Sequence, residues 1–254
     1  MSDHVRAERV ARVLRLTLAR PEKKNALTRA MYTALAEALT EAEGDAEIRA
    51  VVLCGEGGTF TAGNDLFDFM TDPPRDETSP VFQFLHAAVG FAKPLLAAVE
   101  GVAIGIGTTL LLHCDLAYAA PSARFKMPFT DLGLVPEAAS SLLLPRLAGQ
   151  ARASELLLLG EMFDASTAQE IGLINAVVAD PTTHAMERAQ ALALKPPAAV
   201  RQSKALLRAP LRDRVLETIR EEAALFVERL TSEEAQEAFS AFLEKRAPDF
   251  SRFE

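Results

Sequence analysis

A chain of 254 residues, 49% hydrophobic and 24% charged, has the composition of a folded globular protein with a sizeable core in one large domain or a main domain with an appendage. Its net charge of −8 argues against nucleic-acid partners, which need a basic face, while leaving room for a local basic spot that meets a phosphate. Cys54 and Cys114 sit in apolar surroundings and read as buried free thiols; no signal core and no run of transmembrane length is visible, which implies a cytoplasmic protein with no membrane partner.

In chain order, V-A-R-V-L-R-L-T-L over 10–18 alternates imperfectly and predicts a strand closed by Arg20-Pro21. Thr28 caps a helix over 29–43 whose Met31, Leu35 and Leu39 share one face. The apolar run 50–54 reads as an interior strand of a mostly parallel sheet. A glycine-rich loop, E-G-G-T-F-T-A-G-N-D-L, then leads into a short amphipathic piece over 66–70. Residues 71–79 read as an exposed, mobile loop that shapes a pocket, and a helix over 81–91 follows.

Apolar strand residues at 95–99 and 102–104 run into Gly105-Ile106-Gly107 and at once into Leu110 to Leu112. That is a buried strand turning sharply into a buried helix. Such a turn either packs a helix against a sheet or points free N–H groups at an anion or a developing oxyanion. Further strands are expected over 114–119 and 124–128. Pro136-Glu137 then places proline and an acid in the first turn of a helix reaching about residue 147. Beyond it the pattern is helical over 151–159, 165–171, 183–194, 197–208, 211–230 and 232–245, with one extended piece over 174–178. Residues 1–195 would form the α/β core and 196–254 a helical C-terminal region.

Phosphate-loop, dinucleotide, nucleophile-elbow and zinc-protease motifs are absent, and the four histidines show no metal-ligand spacing. His113, in an apolar stretch, reads as a satisfied core histidine. Two glycine-flanked elements remain, Ala62-Gly63-Asn64-Asp65-Leu66 and Gly105-Ile106-Gly107. Each can offer one backbone N–H to a carbonyl oxygen that becomes an enolate. An enolate needs a proton shuttle, most simply a carboxylate. Glu137 is a candidate because the small residues Ala138, Ala139, Ser140 and Ser141 follow it and leave room for a ligand; the plain alternative is a helix-start acid favoured by the dipole.

These pieces resemble the crotonase superfamily, the enoyl-CoA hydratase/isomerase family, over essentially the full length. The matching segments are Arg20-Pro21…Asn25-Ala26-Leu27, Phe60 to Leu66, Gly101 to Gly107 with Cys114-Asp115, Phe125…Pro128, Leu132 to Pro136, and Phe242 to Arg246. The resemblance implies a spiral of ββα repeats with a helical C-terminal trimerisation region, rather than the doubly wound sheet that alternation alone suggests. It implies an oxyanion hole from the N–H groups of Asn64 and Ile106. It implies no permanent cofactor but a coenzyme A thioester substrate, its adenine near the backbone of Lys24, Ala62, Asp65 and Leu66. Lys245 matches a lysine that reaches CoA phosphate, often across a subunit boundary in a homotrimer or dimer of trimers. The setting implied is fatty acid metabolism by β-oxidation.

The departures carry more weight. A hydratase of this family would place glutamates at Thr109 and Phe129, and both are absent. A hydroxyl and a phenyl ring cannot activate water by that route. The retained Glu137 and the Gly63-Asn64-Asp65-Leu66 run are similar to the peroxisomal-type Δ3,Δ2-enoyl-CoA isomerases, where a single glutamate moves a proton from C2 to C4. Phe129, Leu134 and Phe67 are expected to wall an apolar pocket around it. A divergent hydratase or another crotonase activity is the nearest alternative, and a non-catalytic acyl-CoA binder the alternative of a different class.

Overall fold

The computed structural model describes residues 3–253. Its first strands, β1 (Val5–Val10) and β2 (Val13–Leu18), form an antiparallel hairpin with Val10 opposite Val13. The single strand expected over 10–18 is therefore only the second arm. Ala11 adopts a left-handed φ of 53° and reverses the chain, a turn that the alternating sequence conceals. Helix α1 (Arg29–Gly44) matches its predicted span, and the Thr28 hydroxyl accepts from the Met31 N–H at 3.3 Å as its cap. β3 (Ala50–Gly55) then lies parallel to β2, with Leu16 opposite Leu53.

After α2 (Leu66–Thr71) and α3 (Pro80–Gly90), the chain alternates between two sheets. β4 (Leu95–Val99) and β6 (Leu116–Ala119) join the first, in the order β1-β2-β3-β4-β6-β9, where β9 is Ala176–Val177. β5 (Val102–Ile104) and β7 (Arg124–Lys126) pair with each other, Ala103 opposite Phe125, and β7 with β8 (Phe163–Asp164). Each turn thus leaves one strand in each sheet, and a parallel bridge between Thr61 and Ala103 begins the second sheet a turn earlier. This mixed α/β spiral is the crotonase-type fold.

Period-two geometry explains why β3 and β4 are apolar throughout. Val51, Leu53, Leu95, Ala97 and Val99 face the core shared with α1 and α3. Ala50, Val52, Cys54, Leu96 and Ala98 face the other way, against Ala185 and Ala189 of α8 (Pro181–Ala193). Both faces are covered, so neither can be polar. Cys54 is buried as expected, but Cys114 is only half-buried, and both are free thiols.

Downstream come α4 (Ile106–Thr109), α5 (Ser140–Ala148), α6 (Gln150–Ser154) and α7 (Ala165–Glu170). The C-terminal helices are α9 (Pro197–Arg208), α10 (Arg212–Leu230) and α11 (Glu233–Glu244). α9 is tied to the start of β6 by charge. Lys204 Nζ lies 2.7 Å and Arg208 Nη2 2.9 Å from the Asp115 carboxylate, which also accepts from the Leu95 N–H at 2.8 Å. No helix among the described residues is long and apolar enough to cross a membrane.

Candidate active site

The first wall is the loop before α2, and Asn25 builds it. Fully buried at a φ of 55°, its side-chain amide donates to the carbonyls of Glu56 (2.9 Å) and Thr59 (2.6 Å). Its own carbonyl accepts from the Thr61 hydroxyl at 2.7 Å. The Ala62 N–H donates to the Lys24 carbonyl at 2.9 Å. Leu27 brackets Asn64 on both sides: its N–H donates to the Gly63 carbonyl, and its carbonyl accepts from the Asp65 N–H. The Tyr32 hydroxyl donates to the Asn64 side-chain oxygen.

The second wall is the β5–α4 turn. Gly105 takes φ 55° and ψ −120°, its N–H donating to the Lys126 carbonyl at 2.8 Å. Its carbonyl accepts from Thr108 and Thr109, which closes a four-residue helix whose first N–H belongs to Ile106. The two walls meet closely: a Cβ on Gly63 would lie 2.8 Å from the Ile104 carbonyl oxygen, and one on Gly107 2.5 Å from Thr61 Cγ2. Among the described residues nothing accepts a hydrogen bond from the N–H of Asn64 or of Ile106.

The third wall corrects an expectation. Glu137 does not lie in the first turn of a helix, because α5 begins only at Ser140. Between them Ala138 and Ala139 both take left-handed backbone, φ 57° and 54°, which propensity cannot anticipate for alanine. The segment is contacted from far along the chain: Glu222 of α10 accepts from the Ala139 N–H at 2.6 Å and the Ser141 N–H at 3.0 Å. His113 is the satisfied core histidine expected, lying in a 3-10 turn with Nε2 2.7 Å from the Ala138 carbonyl oxygen.

Glu137 is buried, and Thr109 Oγ1 donates to its Oε1 at 3.1 Å. Burial pushes its carboxyl up to about 7, the Thr109 hydrogen bond pulling the other way and the charge of Glu222 adding to the rise. Its charge in turn reaches Tyr32, whose phenol is raised well above its ordinary value, by burial first and by Glu137 second. Thr109 ties Glu137 to the β5–α4 wall by a hydrogen bond, while Tyr32, bonded to Asn64, feels Glu137 only through its charge. Phe129 and Leu134 are buried nearby in sequence, but Phe67 is 76% exposed and walls nothing in this chain. α2 buries Phe69, and two residues along a helix point to opposite sides.

Lys24, Ala62, Asp65 and Leu66 are brought together by the same loop contacts, with Asp65 held by Arg20 at 2.5 Å. Lys245 caps α11 at a φ of 56°, exposed, and no contact joins it to that group among the described residues. Sequence reading missed Tyr32 and Glu222. Tyr32 had a signal, one residue from Met31 on a capped helix; Glu222 sits in R-E-E-A-A with none.

The two-sheet spiral is the fold of the crotonase class, and Glu137 lies beside the β5–α4 turn in it. The chain belongs to the enoyl-CoA hydratase/isomerase family, whose description, Enoyl-CoA hydratase/isomerase, matches residues 8–252. It is 39% identical over 253 residues to the 1,2-epoxyphenylacetyl-CoA isomerase of Escherichia coli (strain K12), covering 94% of this chain and 95% of that one. It is 36% identical over 247 residues to the 2,3-dehydroadipyl-CoA hydratase of the same strain, covering 95% and 96%. The structure of Pseudomonas aeruginosa OdaA superposes with a TM-score of 0.93 at 49% identity, covering 95% of this chain and 99% of that one. Relatives in the family carry both isomerase and hydratase names, so the particular reaction rests on the site.

Proposed function

We propose that this enzyme is a Δ3,Δ2-enoyl-CoA isomerase with Glu137 as its single base. The observation that carries the reading is the Glu137–Thr109 pair: one buried carboxylate, with a hydroxyl where water addition would need a second carboxylate. The C2–H bond breaks, its proton goes to Glu137, and the electron pair spreads over the dienolate onto the thioester oxygen. The Asn64 and Ile106 N–H groups hold that oxygen. The same proton then forms the C4–H bond, and the double bond moves from C3–C4 to C2–C3.

A carboxyl near 7 suits both halves of this transfer, since it must take a proton and give it back. Thr109 serves both states. It donates to the ionised carboxylate at 3.1 Å; when Glu137 is protonated, the hydroxyl can accept and turn its own hydrogen to the Gly105 carbonyl at 3.4 Å. Phe129 and Leu134 keep water from trapping the dienolate. The adenine of CoA lies along the backbone of Lys24, Ala62, Asp65 and Leu66. Lys245 reaches the CoA phosphate of a neighbouring subunit in a homotrimer or dimer of trimers. Leu206 and Leu207 of α9, 76% and 83% exposed, support such an assembly, and a monomeric mass in solution would contradict it.

The test mixes the purified chain with a trans-3-enoyl-CoA and, separately, a trans-2-enoyl-CoA. Conversion of the first to the conjugated thioester, lost in Glu137→Gln, supports the reading. Hydration of the second without isomerisation, or a fully active Glu137→Gln, sinks it. Binding with no turnover of either marks an acyl-CoA binder.

A further inference from the structure

We infer that Glu222 of α10 is a positioning residue for Glu137, holding the left-handed Ala138–Ala139 pair from which the catalytic side chain projects. The inference rests on Glu137 being the base. Two consecutive alanines with φ of 57° and 54° are a conformation that L-residues adopt only where surrounding contacts compel it. Those contacts are few and specific. The Glu222 carboxylate accepts from the Ala139 N–H at 2.6 Å, from the Ser141 N–H at 3.0 Å and from the Ser141 hydroxyl. On the opposite side His113 Nε2 holds the Ala138 carbonyl at 2.7 Å; burial lowers its imidazole to about 4, so the ring stays neutral and donates from Nε2.

The same helix also grips the other end of the segment. Arg229, two turns beyond Glu222 and on the same face, donates from Nε to the Gly133 carbonyl at 3.1 Å. Residues 133–141 are thereby strung between two points of one rigid helix with Glu137 in the span. Glu222 is buried and, among the described residues, forms no ion pair; burial raises its carboxyl to about 7, the Ser141 and Ala139 donors pulling down and the charge of Glu221 adding to the rise, so its charge develops as pH rises through neutrality. An amide could fill the same space without desolvating a charge. What the carboxylate adds is a doubly accepting end and a negative field that Glu137 feels. The titratable groups bearing on Glu137 are Tyr32 from α1 and Glu222 from α10, while Thr109 of α4 contributes its hydroxyl.

The test measures kcat and KM for a trans-3-enoyl-CoA across pH in the full chain and in Glu222→Gln, with Glu137 ionisation followed independently by carbon NMR of labelled glutamate side chains. Gln can accept at one of the two N–H groups and carries no charge. We expect kcat to fall on the order of tenfold or more with KM within about twofold, because the base is misplaced while the CoA contacts stand. The acid limb and the NMR titration of Glu137 should both move to lower pH. A folded Glu222→Gln with unchanged kcat and an unmoved Glu137 titration overturns the inference. Should that variant fail to fold, Ser141→Ala removes one donor from the same carboxylate; a kcat loss at constant KM supports the clamp, and an unchanged kcat refutes it. If the parent chain does not isomerise, the isomerase reading has failed, and the NMR titration in Glu222→Gln alone decides whether Glu222 governs Glu137.

Discussion

Replacing Thr109 by valine keeps the shape of the side chain and removes the hydroxyl that donates to Glu137 at 3.1 Å. That donor stabilises the ionised carboxylate more than the neutral acid, since a hydrogen bond to a charged acceptor is the stronger one, so its loss raises the proton affinity of a group already near 7. A hydrogen bond to a charged acceptor contributes about 1.5 kcal/mol at the low end, and 1.36 kcal/mol is one pKa unit, which moves the acid limb of kcat up by about one unit. At neutral pH the ionised fraction drops from about half to about a tenth, so turnover falls about fivefold and recovers roughly two pH units higher. The assay follows formation of the conjugated thioester from a trans-3-enoyl-CoA as a function of pH, with Thr109→Ser as the control that keeps the donor. A limb that stays in place, or shifts toward acid, refutes the assignment of Glu137 as the group titrating in that limb.

Four further substitutions test the site and its supports. Glu137→Gln should stabilise the fold above neutral pH: a folded-state value raised from 4.5 to about 7 contributes stability below the ordinary value that is lost as pH rises through 7. The gain is on the order of 2 kcal/mol in mild alkali, shrinks as pH falls below 7 and vanishes below the ordinary value of 4.5, readable as melting temperatures of the two proteins across that range. Asp115→Ala leaves Lys204, whose side chain is only 9% exposed, without its counter-charge, and should cost about 3 kcal/mol in urea unfolding; a cost under about 1 kcal/mol would mean that α9 is not held by that pair. Gly105 and Gly107 should fail differently. Gly105→Ala meets no atom within 4 Å but keeps a φ of 55°, so it loses about 1–3 kcal/mol of stability, whereas Gly107→Ala drives a methyl to 2.5 Å from Thr61 and shifts the Asn64 loop, lowering kcat. Identical profiles for the two alanines would contradict this division.

Much of the architecture was legible because it is local or periodic. The cap at Thr28, the spacing of Met31, Leu35 and Leu39, and the uninterrupted apolar runs of β3 and β4 each follow from interactions within a few residues or from burial on both faces. Helix α9 was predicted to the residue. The glycine-flanked turns were visible too, since a backbone that must approach closely leaves glycine at the contact. Less visible were the hairpin turn at Ala11 and the two-residue β8, which carry no breaker, and the exposed side of α2, which turns on what covers it.

Sheet membership and the aim of Glu137 belong to the tertiary structure alone. Whether an apolar segment joins the first sheet or the second depends on which distant strand completes its hydrogen bonds, as Ala103 finds Phe125 and Ala98 finds Tyr118. Proline followed by an acid has the form of a helix start, and locally Pro136-Glu137 would be one. The outcome differs because a carboxylate 83 residues away takes the Ala139 N–H, holds two alanines left-handed and delays the helix to Ser140. Residue types supplied the chemistry of the site; the position of its base is set by a contact that no local pattern encodes.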